Sequence, residues 1–419
     1  MKSQFMLALG LCLLAHPVRA DDWPQWRGPQ RDGISKETGL LKEWPAGGPK
    51  LLWKKADLGN GYSSFSVVGE HLYTLGNDGM DNEFVQARSA NDGGRLWQTR
   101  LGNVGTNDAR ANYAGARSTP TIDGEYLYAL GSDGHLASIK RTDGKARWQK
   151  NLRADFAGKP GVWAYAESPL IDGDALICTP GGSEATLVAL NKNTGAILWK
   201  CALPEADEAA FSSAILVNSG GTKQYVQLLS KGLVGIDANS GKPLWRYSKP
   251  ISIYGANIPT PVAANDYVYV ASAGTGGGAV HLTVKDGKFV AEEAYFSAKN
   301  PTAIGGVIKV GDHLYGTTGS ALQCSKFTTG EILWEDRALG PASMCFAEGR
   351  LYLHGENGDV ALIEASSEGY RPKGRFTPPD QPPHTRGQME KSWAYPVVAN
   401  GRLYIRDHGV LWCYDVSAK

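Results

Sequence analysis

Short apolar segments alternate with glycine-containing turns along almost all of the chain after residue 50. One unit of this pattern has apolar segments at 118–122, 126–130 and 135–139, separated by Asp-Gly turns, and a fourth segment that ends at Trp148. Short apolar segments joined by Asp-Gly or Asn-Gly turns are typical of antiparallel hairpins. Four such strands in about 40–50 residues predict one blade of a β-propeller.

The unit recurs, and a tryptophan ends its fourth segment. These tryptophans are Trp53, Trp97, Trp148, Trp199, Trp245 and Trp334. The gap before Trp334 is about twice as long as the others, and a degenerate unit with its turn at Asp286-Gly287-Lys288 fills it. A further unit follows Trp334 and ends near Phe376. Together with the incomplete units at the two ends, the pattern predicts eight blades.

The two ends of the repeat array complement each other. The last unit has strands at 393–398, 402–405 and 410–414 and no fourth strand, while Leu51–Lys55 is a fourth strand without the other three. A blade shared between the two ends would close the ring and hide its sheet edges. The sequence therefore predicts an all-β fold for 49–419: an eight-bladed β-propeller of four-stranded antiparallel blades, closed by pairing of the N- and C-terminal strands.

The N-terminus precedes the repeat and has a different character. Residues 1–20 combine a basic start, an apolar run from Phe5 to Ala15 and a small residue at Ala20. This pattern predicts a signal peptide cleaved after Ala20. The apolar run is too short to span a bilayer, which disfavours the alternative of an uncleaved anchor. We therefore expect an exported protein, periplasmic or extracellular, with no transmembrane segment in the mature chain.

Charge and cysteine content argue against two classes of protein. Lysine and arginine total 43, aspartate and glutamate total 42, and no basic block occurs, so a nucleic-acid partner is not expected. The cysteines after residue 20 lie far apart, which argues against a disulfide framework. Cys178 and Cys201 are predicted to lie on the second and fourth strands of one blade. Two strands apart is about 9–10 Å, too far for a disulfide bond.

The tryptophan at the end of each unit belongs to a longer motif. Residues 190–199 and 236–245 match the pattern Ala-x-Asp-x-x-Thr-Gly-Lys-x-x-Trp well, and 324–334 match it less fully. The motif resembles the tryptophan-docking repeat of pyrroloquinoline-quinone-like (PQQ-like) β-propellers. The resemblance implies that the six tryptophans named above are structural docking residues, whose indoles pack between neighbouring blades. The repeat alone therefore does not indicate a quinone cofactor.

Residues 21–48 form a lead-in that is rich in proline and tryptophan. The stretch from Asp22 to Pro29, continued as far as Trp44-Pro45, resembles the leader of secreted bacterial PQQ-like propellers. Because the lead-in lacks strand periodicity but carries large apolar rings, we expect it to lie across the propeller surface. Packing is its favoured role, and ligand binding is the alternative.

Two branches of this superfamily imply different functions. Quinoprotein alcohol dehydrogenases hold PQQ between a tryptophan and a disulfide of two adjacent cysteines, beside a Ca²⁺ ion. This chain has neither adjacent cysteines nor a Cys-x-x-Cys-His haem motif, so PQQ with Ca²⁺ is an option that the sequence does not support, and the cofactor stays unknown. BamB-type assembly proteins share the fold and bind protein partners instead.

The sequence therefore favours one function and leaves a second open. We expect a secreted or periplasmic scaffold for binding or assembly that carries out no catalysis. The alternative is a quinoprotein-type oxidoreductase, or another enzyme that binds a small polar or cyclic ligand in the axial funnel. No catalytic residue or metal site is assigned, because the histidines are scattered without ligand spacing.

The candidate site for a ligand or partner is the funnel around the propeller axis. Loops that lead into the innermost strands combine aromatic side chains with a few polar groups, as ligand pockets do. These candidates are Tyr62, Arg117, Trp163, Tyr165, Glu167, Asn257, Trp393 and Tyr395. The rings would face a flat ligand, Arg117 would pair with a carboxylate, and Glu167 with Asn257 would offer oxygens to Ca²⁺. The alternative is that these residues fill the channel, with Arg117 paired to Glu167.

Overall fold

The computed structural model describes residues 22–105, 115–252, 256–383 and 391–418. Within these ranges the chain forms eight sheets, the blades of a β-propeller; seven have four strands and one gains a fifth. The four strands that make up each blade are antiparallel, which confirms the predicted fold class, and the additional fifth strand pairs in parallel. The signal peptide predicted for 1–20 lies outside the described residues.

The strands before the first complete blade are β1 (Ile34–Ser35) and β2 (Lys50–Lys55). Blade 1 contains β3 (Ser66–Val68), β4 (His71–Asp78), β5 (Asn82–Ser89) and β6 (Arg95–Gly102). Blade 2 contains β7 (Thr121–Asp123), β8 (Tyr126–Leu130), β9 (His135–Lys140) and β10 (Ala146–Asn151), followed by the short helix α1 (Leu152–Phe156). Blade 3 contains β11 (Leu170–Asp172), β12 (Ala175–Cys178), β13 (Leu187–Asn191) and β14 (Ile197–Cys201). Blade 4 contains β15 (Ile215–Ser219), β16 (Thr222–Leu229), β17 (Gly232–Asp237) and β18 (Pro243–Tyr247).

The second half of the ring repeats the arrangement. Blade 5, the degenerate unit, contains β19 (Val262–Ala264), β20 (Tyr267–Ser272), β21 (Gly276–Lys285) and β22 (Lys288–Ser297). Blade 6 contains β23 (Val307–Val310), β24 (His313–Thr317), β25 (Leu322–Lys326) and β26 (Ile332–Asp336). Blade 7 contains β27 (Ala342–Ala347), β28 (Arg350–Gly355), β29 (Val360–Glu364) and β30 (Pro372–Phe376). Blade 8 contains β31 (Val397–Ala399), β32 (Arg402–Asp407) and β33 (Val410–Asp415), together with β2.

The position of a strand within its blade decides its burial. The second and third strands of blade 3, β12 and β13, are buried along most of their length, because neighbouring blades cover both of their faces. The fourth strand β14 is largely exposed. First strands are short and line the axis. The upper face is the end of the axis at which the chain enters the first strands. The lower face is the opposite end, where turns connect the first strands to the second strands.

The ring closes where β2 pairs with β33 in antiparallel orientation. Lys50 lies opposite Asp415, and Trp53 lies opposite Cys413. The predicted pairing of the terminal strands is therefore confirmed. Blade 8 takes three strands from the end of the chain and its outermost strand from the beginning, so every blade has two neighbours.

Five of the six candidate docking tryptophans make the same contact with the next blade. Each indole N–H donates to a backbone carbonyl that lies three residues before a turn glycine. The pairs are Trp53 with Ala90, Trp97 with Arg141, Trp148 with Lys192, Trp199 with Ala238 and Trp334 with Ser366. At Gly241, a Cβ atom would lie 2.6 Å from the ring of Trp199, so the indole needs a glycine beneath it.

Trp245 departs from this arrangement. Its indole N–H donates to Gln224 Oε1 of its own blade at 2.7 Å. The hairpin turn of blade 5, at Gly287, has no atom within 4 Å of the place where a Cβ would lie. The indole nevertheless lies in one hydrophobic cluster with Val268, Val280 and Leu282 of blade 5. Only its hydrogen bond therefore departs from the shared motif, and the docking role of Trp245 stays a prediction.

In blade 5, a tyrosine takes the place of the docking tryptophan. Tyr295 Oη donates to the carbonyl of Phe327 at 2.7 Å, three residues before Gly330, whose Cβ would lie 2.4 Å from the tyrosine ring. The contact between blades is thus kept with a different aromatic residue. The sequence signal for it was the position of Tyr295 at the end of the degenerate unit, where a tryptophan would stand.

Candidate functional site

The first part of the lead-in inserts into the axial channel from the lower face, whereas its later part, around Leu40 and Trp44, lies against blades 7 and 8 as its sequence suggested. Asp22 accepts a hydrogen bond from the backbone of Gly69, in a turn of the lower face. Trp23 then pairs with Val67 of β3 through two backbone hydrogen bonds of 2.7 and 2.8 Å. The next residue, Pro24, accepts from Ile122 of β7 at 2.7 Å.

The deepest part of the lead-in is held by two buried arginines. Arg27 is 3 % exposed and donates to the carbonyls of Asp32 and Val307. Arg31 is 2 % exposed and donates to the carbonyls of Ser168 and Pro169 at 2.7 and 3.0 Å. The first strands carry backbone carbonyls on the edge that faces the axis, and a guanidinium, with its five N–H donors, is suited to satisfy several of them. The carbonyls at the inner edge require hydrogen-bond donors, and this requirement explains why the lead-in enters the channel.

The lead-in then returns to the lower face and joins the ring. Ile34 and Ser35 of β1 pair in parallel with Phe346 and Ala347 of β27. Strand β1 is therefore the fifth strand of the blade 7 sheet. Glu37 accepts hydrogen bonds from the backbone N–H groups of Asn400 and Gly401 at 2.8 and 2.9 Å. We call residues 22–40 the plug segment, because they fill the lower part of the channel.

A cavity of about 290 Å³ lies above the plug segment, toward the upper face. Its walls come from the loops and strand starts of many blades, and Trp26 of the plug segment contributes to its lining. The lining residues are Trp26, Tyr62, Arg117, Trp163, Ala166, Ser168, Phe211, Ser213, Ser252, Ala256, Ile258, Ala273, Ile304, Trp393 and Tyr395. The structure thus brings together five of the eight candidate site residues: Tyr62, Arg117, Trp163, Trp393 and Tyr395.

Six aromatic side chains contribute to the lining of this cavity: Trp26, Tyr62, Trp163, Phe211, Trp393 and Tyr395. The rings of Tyr62 and Trp393 have centroids 5.2 Å apart and an interplanar angle of 47°. Trp26 stands edge-on to Tyr395, with centroids 4.5 Å apart, and donates its indole N–H to Thr260. Such pairs fix the orientation of each ring. The cavity therefore presents fixed aromatic surfaces to whatever occupies it.

Arg117 is the charged side chain of this lining. Its Nη1 donates to the carbonyl of Gly115 at 3.0 Å, and its guanidinium carbon lies 6.0 Å from the centroid of the Tyr62 ring. Burial lowers the pKa of Arg117, and the nearby Tyr62 and Glu83 oppose that change. An arginine stays protonated at neutral pH despite such a shift, so the cavity wall carries a positive charge.

Three of the candidate site residues lie outside the cavity lining. Tyr165 is 1 % exposed and donates its hydroxyl to the carbonyl of Pro180. Asn257 donates to the carbonyl of Leu229 at 2.7 Å and accepts from the backbone N–H of Ser252 at 3.0 Å. These side chains satisfy buried backbone groups of the upper loops. They lie outside the lining of this cavity, and a ligand-binding role for them stays a prediction.

Glu167 also hydrogen-bonds to a backbone group and does not line the cavity. Its carboxylate is 2 % exposed and accepts a hydrogen bond from the backbone N–H of Thr179. Burial raises the pKa of Glu167 to about 7, against the opposing influence of that hydrogen bond and of Arg31. The charge of Arg31 thus acts against the rise in the pKa of Glu167, as that of Glu83 acts against the fall in the pKa of Arg117. The alternative interpretation paired Arg117 with Glu167, but neither of these residues is among the groups that shift the pKa of the other.

Sequence reasoning missed Glu83, which lies behind the cavity wall. Its carboxylate accepts hydrogen bonds from the backbone N–H and the hydroxyl of Ser132, at 2.8 and 2.6 Å. Burial raises the pKa of Glu83 to about 7. Glu83 lies near the start of β5, the third strand of its blade, so a search confined to the starts of the first strands could not find it.

The residues around the cavity do not fit Ca²⁺-bound PQQ. The two proposed oxygen ligands, Glu167 and Asn257, are engaged with backbone groups and do not line the cavity. Across the described ranges, no group of three or more histidine, cysteine, aspartate or glutamate side chains could hold a metal ion. The five described cysteines are separate, buried thiols, so they cannot form the disulfide of adjacent cysteines that such a site uses.

Comparisons with known proteins agree with this architecture. A family model described as "Outer membrane protein assembly factor BamB" matches residues 35–185 and 166–369. BamB of Yersinia pestis is 22% identical over 332 residues, which cover 66% of this chain and 77% of that protein. BamB of Moranella endobia (strain PCIT) is 32% identical over 74 residues, 18% of this chain and 19% of that protein.

Solved structures with a similar fold come from both branches of the superfamily. BamB from Moraxella catarrhalis has a TM-score of 0.55 at 17% identity, covering 84% of this chain and 93% of that one. A quinohemoprotein alcohol dehydrogenase from Comamonas testosteroni has a TM-score of 0.52 at 13% identity, covering 95% of this chain and 81% of that one. At these identities the likeness concerns the fold. Within the described ranges, no helix has the length and apolar character needed to cross a membrane.

Proposed function

The chain belongs to the family described as outer membrane protein assembly factor BamB, and from this membership we propose that it is an exported, non-catalytic scaffold that holds a protein partner. The observation that carries the proposal is that polar and aromatic side chains around the cavity have different roles. The buried acid and amide of the upper loops, Glu167 and Asn257, hold backbone groups in place, while aromatic rings are left facing the opening. Such an arrangement suits binding.

The upper face has the features of a partner-binding surface. Trp163 and Trp393 are only partly buried and line the cavity. Ile251 and Met80, in loops of the same face, are 47 % and 45 % exposed. Partly buried aromatic residues surrounded by apolar neighbours are common anchors of protein interfaces. We therefore place the partner on the upper face, since the plug segment fills the lower part of the channel.

Co-purification tests this proposal. Tagged mature protein, recovered from the cell envelope of its source, should retain a defined partner at constant stoichiometry. The double variant Trp163→Ala/Trp393→Ala should retain at least about tenfold less, the range expected when interface anchors are truncated. Leu198→Ala, an exposed residue on β14, is the matched control and should retain the partner fully. Equal recovery with the double variant, given an unchanged melting temperature, would contradict the proposed surface.

Export is part of the proposal and rests on residues 1–20. We propose cleavage after Ala20, which would release a mature chain starting at Asp21. N-terminal sequencing of the protein from a periplasmic or culture fraction tests it. Recovery of the uncleaved N-terminus in a membrane fraction would instead support the anchor alternative.

A second candidate function is a quinoprotein-type oxidoreductase or another enzyme with a small cyclic ligand. The observation in its favour is the aromatic cavity on the axis, lined by Trp26, Trp163 and Trp393. We propose it only as the alternative, because the residues around the cavity do not fit Ca²⁺-bound PQQ. Reduction of an artificial electron acceptor by the purified protein with PQQ, Ca²⁺ and a panel of alcohols and sugars would favour this alternative over the scaffold.

A further inference from the structure

The outer wall of the ring has two halves of unlike charge. It is formed by the fourth strand of each blade, which lies farthest from the axis. In blades 8, 1, 2 and 3, the fourth strands β2, β6, β10 and β14 together carry eight lysine or arginine side chains and no aspartate or glutamate. In blades 4 to 7, the fourth strands β18, β22, β26 and β30 carry four basic and four acidic side chains. Since lysine and arginine total 43 in the whole chain and aspartate and glutamate total 42, the positive half is a local feature.

Exposed aliphatic side chains lie on the same half of the ring. Nine large hydrophobic side chains are exposed among the described residues, and five of them lie on β2, β6 and β14. None of the nine lies on the fourth strands of blades 4 to 7. The five are Leu51, Leu52, Leu96, Ile197 and Leu198, which are 38 % to 52 % exposed. Single exposed hydrophobic residues are common on protein surfaces, but here they are concentrated among basic residues.

Blades 8 and 1 present these side chains as one continuous surface. The indole of Trp53 in β2 donates to the carbonyl of Ala90 in the turn of blade 1. A Cβ atom at Gly93 of that turn would lie 2.8 Å from Cγ of Lys55. Strand β6 begins at Arg95, directly after the turn, so β2 and the start of β6 are neighbours. We call β2 and β6 together the basic outer wall; they hold five of the eight basic side chains and three of the five aliphatic ones.

Acidic side chains border the basic outer wall without lying on its strands. Asp57, which follows β2, pairs with the buried Arg88 at 2.9 Å. Asp92, in the turn before β6, accepts a hydrogen bond from the backbone N–H of Gly94 at 2.9 Å. Both carboxylates are therefore held by groups outside the two strands.

Two further acids lie against β2. Asp415 of β33 lies opposite Lys50, and Arg402 of β32 lies on its other side. Asp380 pairs with Lys54 at 3.0 Å, and its side chain is 80 % exposed. A salt bridge as exposed as this one contributes little in water, so a surface that carries many negative charges can replace Asp380. These acids reduce the positive charge of the basic outer wall in part.

We propose that the basic outer wall docks on a lipid bilayer that contains anionic lipids. Lys50 and Arg95 pair with headgroup phosphates, and Leu51, Leu52 and Leu96 enter the boundary between headgroups and acyl chains. Basic side chains next to an anionic leaflet are attracted to it, and exposed aliphatic side chains gain from burial at this boundary. A soluble polyanion would interact with the basic side chains and leave the leucines in water, so the combination of the two favours a lipid surface.

This docking goes beyond the scaffold function and is compatible with it. The ring turns through a right angle every two blades, so a flat bilayer contacts about two neighbouring blades. Docking through blades 8 and 1 places the propeller axis parallel to the membrane. The upper face then opens to the side, where a protein partner reaches it without competing with the lipid.

Flotation of the mature protein with vesicles tests the docking without any variant. Anionic vesicles contain equal parts of phosphatidylglycerol and phosphatidylethanolamine, and neutral vesicles have phosphatidylcholine in place of phosphatidylglycerol. We expect the protein to bind anionic vesicles at least about tenfold more tightly than neutral ones, and to lose this binding as salt screens the exposed charges. Equal binding to both kinds of vesicle, or binding to neither, would overturn the proposal.

Charge variants then locate the docking on the ring. Lys50→Gln/Arg95→Gln removes one exposed charge from β2 and one from β6. It should weaken binding to anionic vesicles about 10- to 30-fold, because each basic residue near an anionic membrane contributes roughly a fivefold factor. Lys242→Gln/Lys288→Gln removes two exposed charges from blades 4 and 5, and this matched control should bind like the parent. Equal losses in the two variants would overturn the assignment, since net charge alone would then decide the binding.

Leucine variants separate a bilayer from a soluble acidic partner. Leu51→Gln/Leu96→Gln keeps every charge, and it should weaken binding to anionic vesicles at least about tenfold while binding to polyglutamate stays unchanged. Val284→Gln, at an exposed position in blade 5, is the control and should bind vesicles like the parent. Full vesicle binding by the folded leucine variant, or binding of polyglutamate without binding of vesicles, would overturn the choice of a lipid surface. Neither result bears on the upper face, which has its own test.

Discussion

At the scale of single residues, four docking indoles join two blades through one hydrogen bond and one close contact with a turn glycine; they are those of Trp53, Trp97, Trp148 and Trp199. Trp199 is the clearest case, since it bonds to the carbonyl of Ala238 and lies on Gly241. Neighbouring side chains on the same strand have no such role: Leu198 is 51 % exposed. The position of an aromatic residue relative to the next blade's turn, more than its hydrophobicity, decides its contribution.

Trp199→Ala should therefore destabilise the ring strongly. Loss of a large packed aromatic side chain typically costs about 3–5 kcal/mol. Leu198→Ala, one residue away, should change the free energy of unfolding by about 0.5 kcal/mol or less. Urea unfolding followed by tryptophan fluorescence and circular dichroism measures both. Equal transition midpoints for the two variants would show that the indole is not a wedge between blades.

Buried carboxyl groups should make the stability depend on pH. Burial raises the pKa of Glu83 and of Glu167 to about 7, above the value of about 4.3 in an unfolded chain. Between these two pH values the folded protein binds more protons than the unfolded protein, so the free energy of unfolding falls as pH rises and levels off above about pH 7. Each group contributes at most about 1.4 kcal/mol per pH unit.

Glu83→Gln tests this dependence. The variant should lose less stability than the parent between about pH 5 and pH 7.5, because its side chain at this position no longer titrates. Glu70→Gln, an exposed position in a turn of the same blade, should keep the parent's slope. Urea titrations at a series of pH values give the slopes. An unchanged slope in Glu83→Gln would mean that Glu83 titrates normally.

The limits of sequence reasoning are also visible at this scale. The repeat placed Trp163 and Tyr165 close to the same strand start, but it could not say which of them faces the axis. Ala164 between them adopts a φ of 75°, in the left-handed region, which changes the direction of the chain. Trp163 lines the cavity, and Tyr165 packs within the upper loops. Glu167 and Asn257 hydrogen-bond to backbone groups of Thr179 and Leu229, which the repeat pattern does not indicate.

At the scale of elements, the plug segment is the part of the molecule that the sequence did not reveal. Its lack of periodicity was evident, but the partners of Arg27 and Arg31 lie at Val307 and Ser168, far away along the chain. No local pattern indicates that an arginine will satisfy carbonyls at the inner edge of a sheet. The blades themselves were predictable, because each is a local unit of hairpins.

The double variant Arg27→Met/Arg31→Met should loosen the plug segment. Each change leaves buried carbonyls of the inner strands without a donor, which costs about 1–3 kcal/mol per unsatisfied group. We expect a lower melting temperature and faster hydrogen exchange in residues 22–40. Arg95→Met, at an exposed position, is the control and should melt like the parent. Unchanged exchange in the double variant would show that the arginines do not hold the segment in the channel.

At the scale of the whole molecule, eight blades form one closed ring because the first and last strands share a blade. This feature was predictable from the sequence, since the three-stranded remainder at the C-terminus and the orphan strand at the N-terminus are complementary. The docking contacts add to the closure: Trp53 of β2 bonds to Ala90 of blade 1. Strand pairing therefore completes blade 8, and indole docking joins blade 8 to blade 1.

Deletion of residues 49–56 should open the ring. The edge of β33 would then be exposed, and an unpaired edge strand promotes aggregation. We expect a large loss of stability and higher-order species in size-exclusion chromatography. Replacing Leu51 and Leu52, each 38 % exposed, with lysine keeps the backbone pairing and serves as the control. A deletion variant that elutes and melts like the parent would show that closure does not depend on β2.

The central claim is that this ring is a scaffold whose binding surface is the upper face. Site-specific photo-crosslinking in the source cells tests it most directly, with a photoreactive residue placed singly at four positions. Met80 and Ile251 probe the upper face, and Glu125 and Asp143 probe turns on the lower face; all four positions are exposed. We predict one adduct of the same mass from positions 80 and 251, and none from positions 125 and 143. Adducts from the lower face alone, or equally from both faces, would contradict the claim.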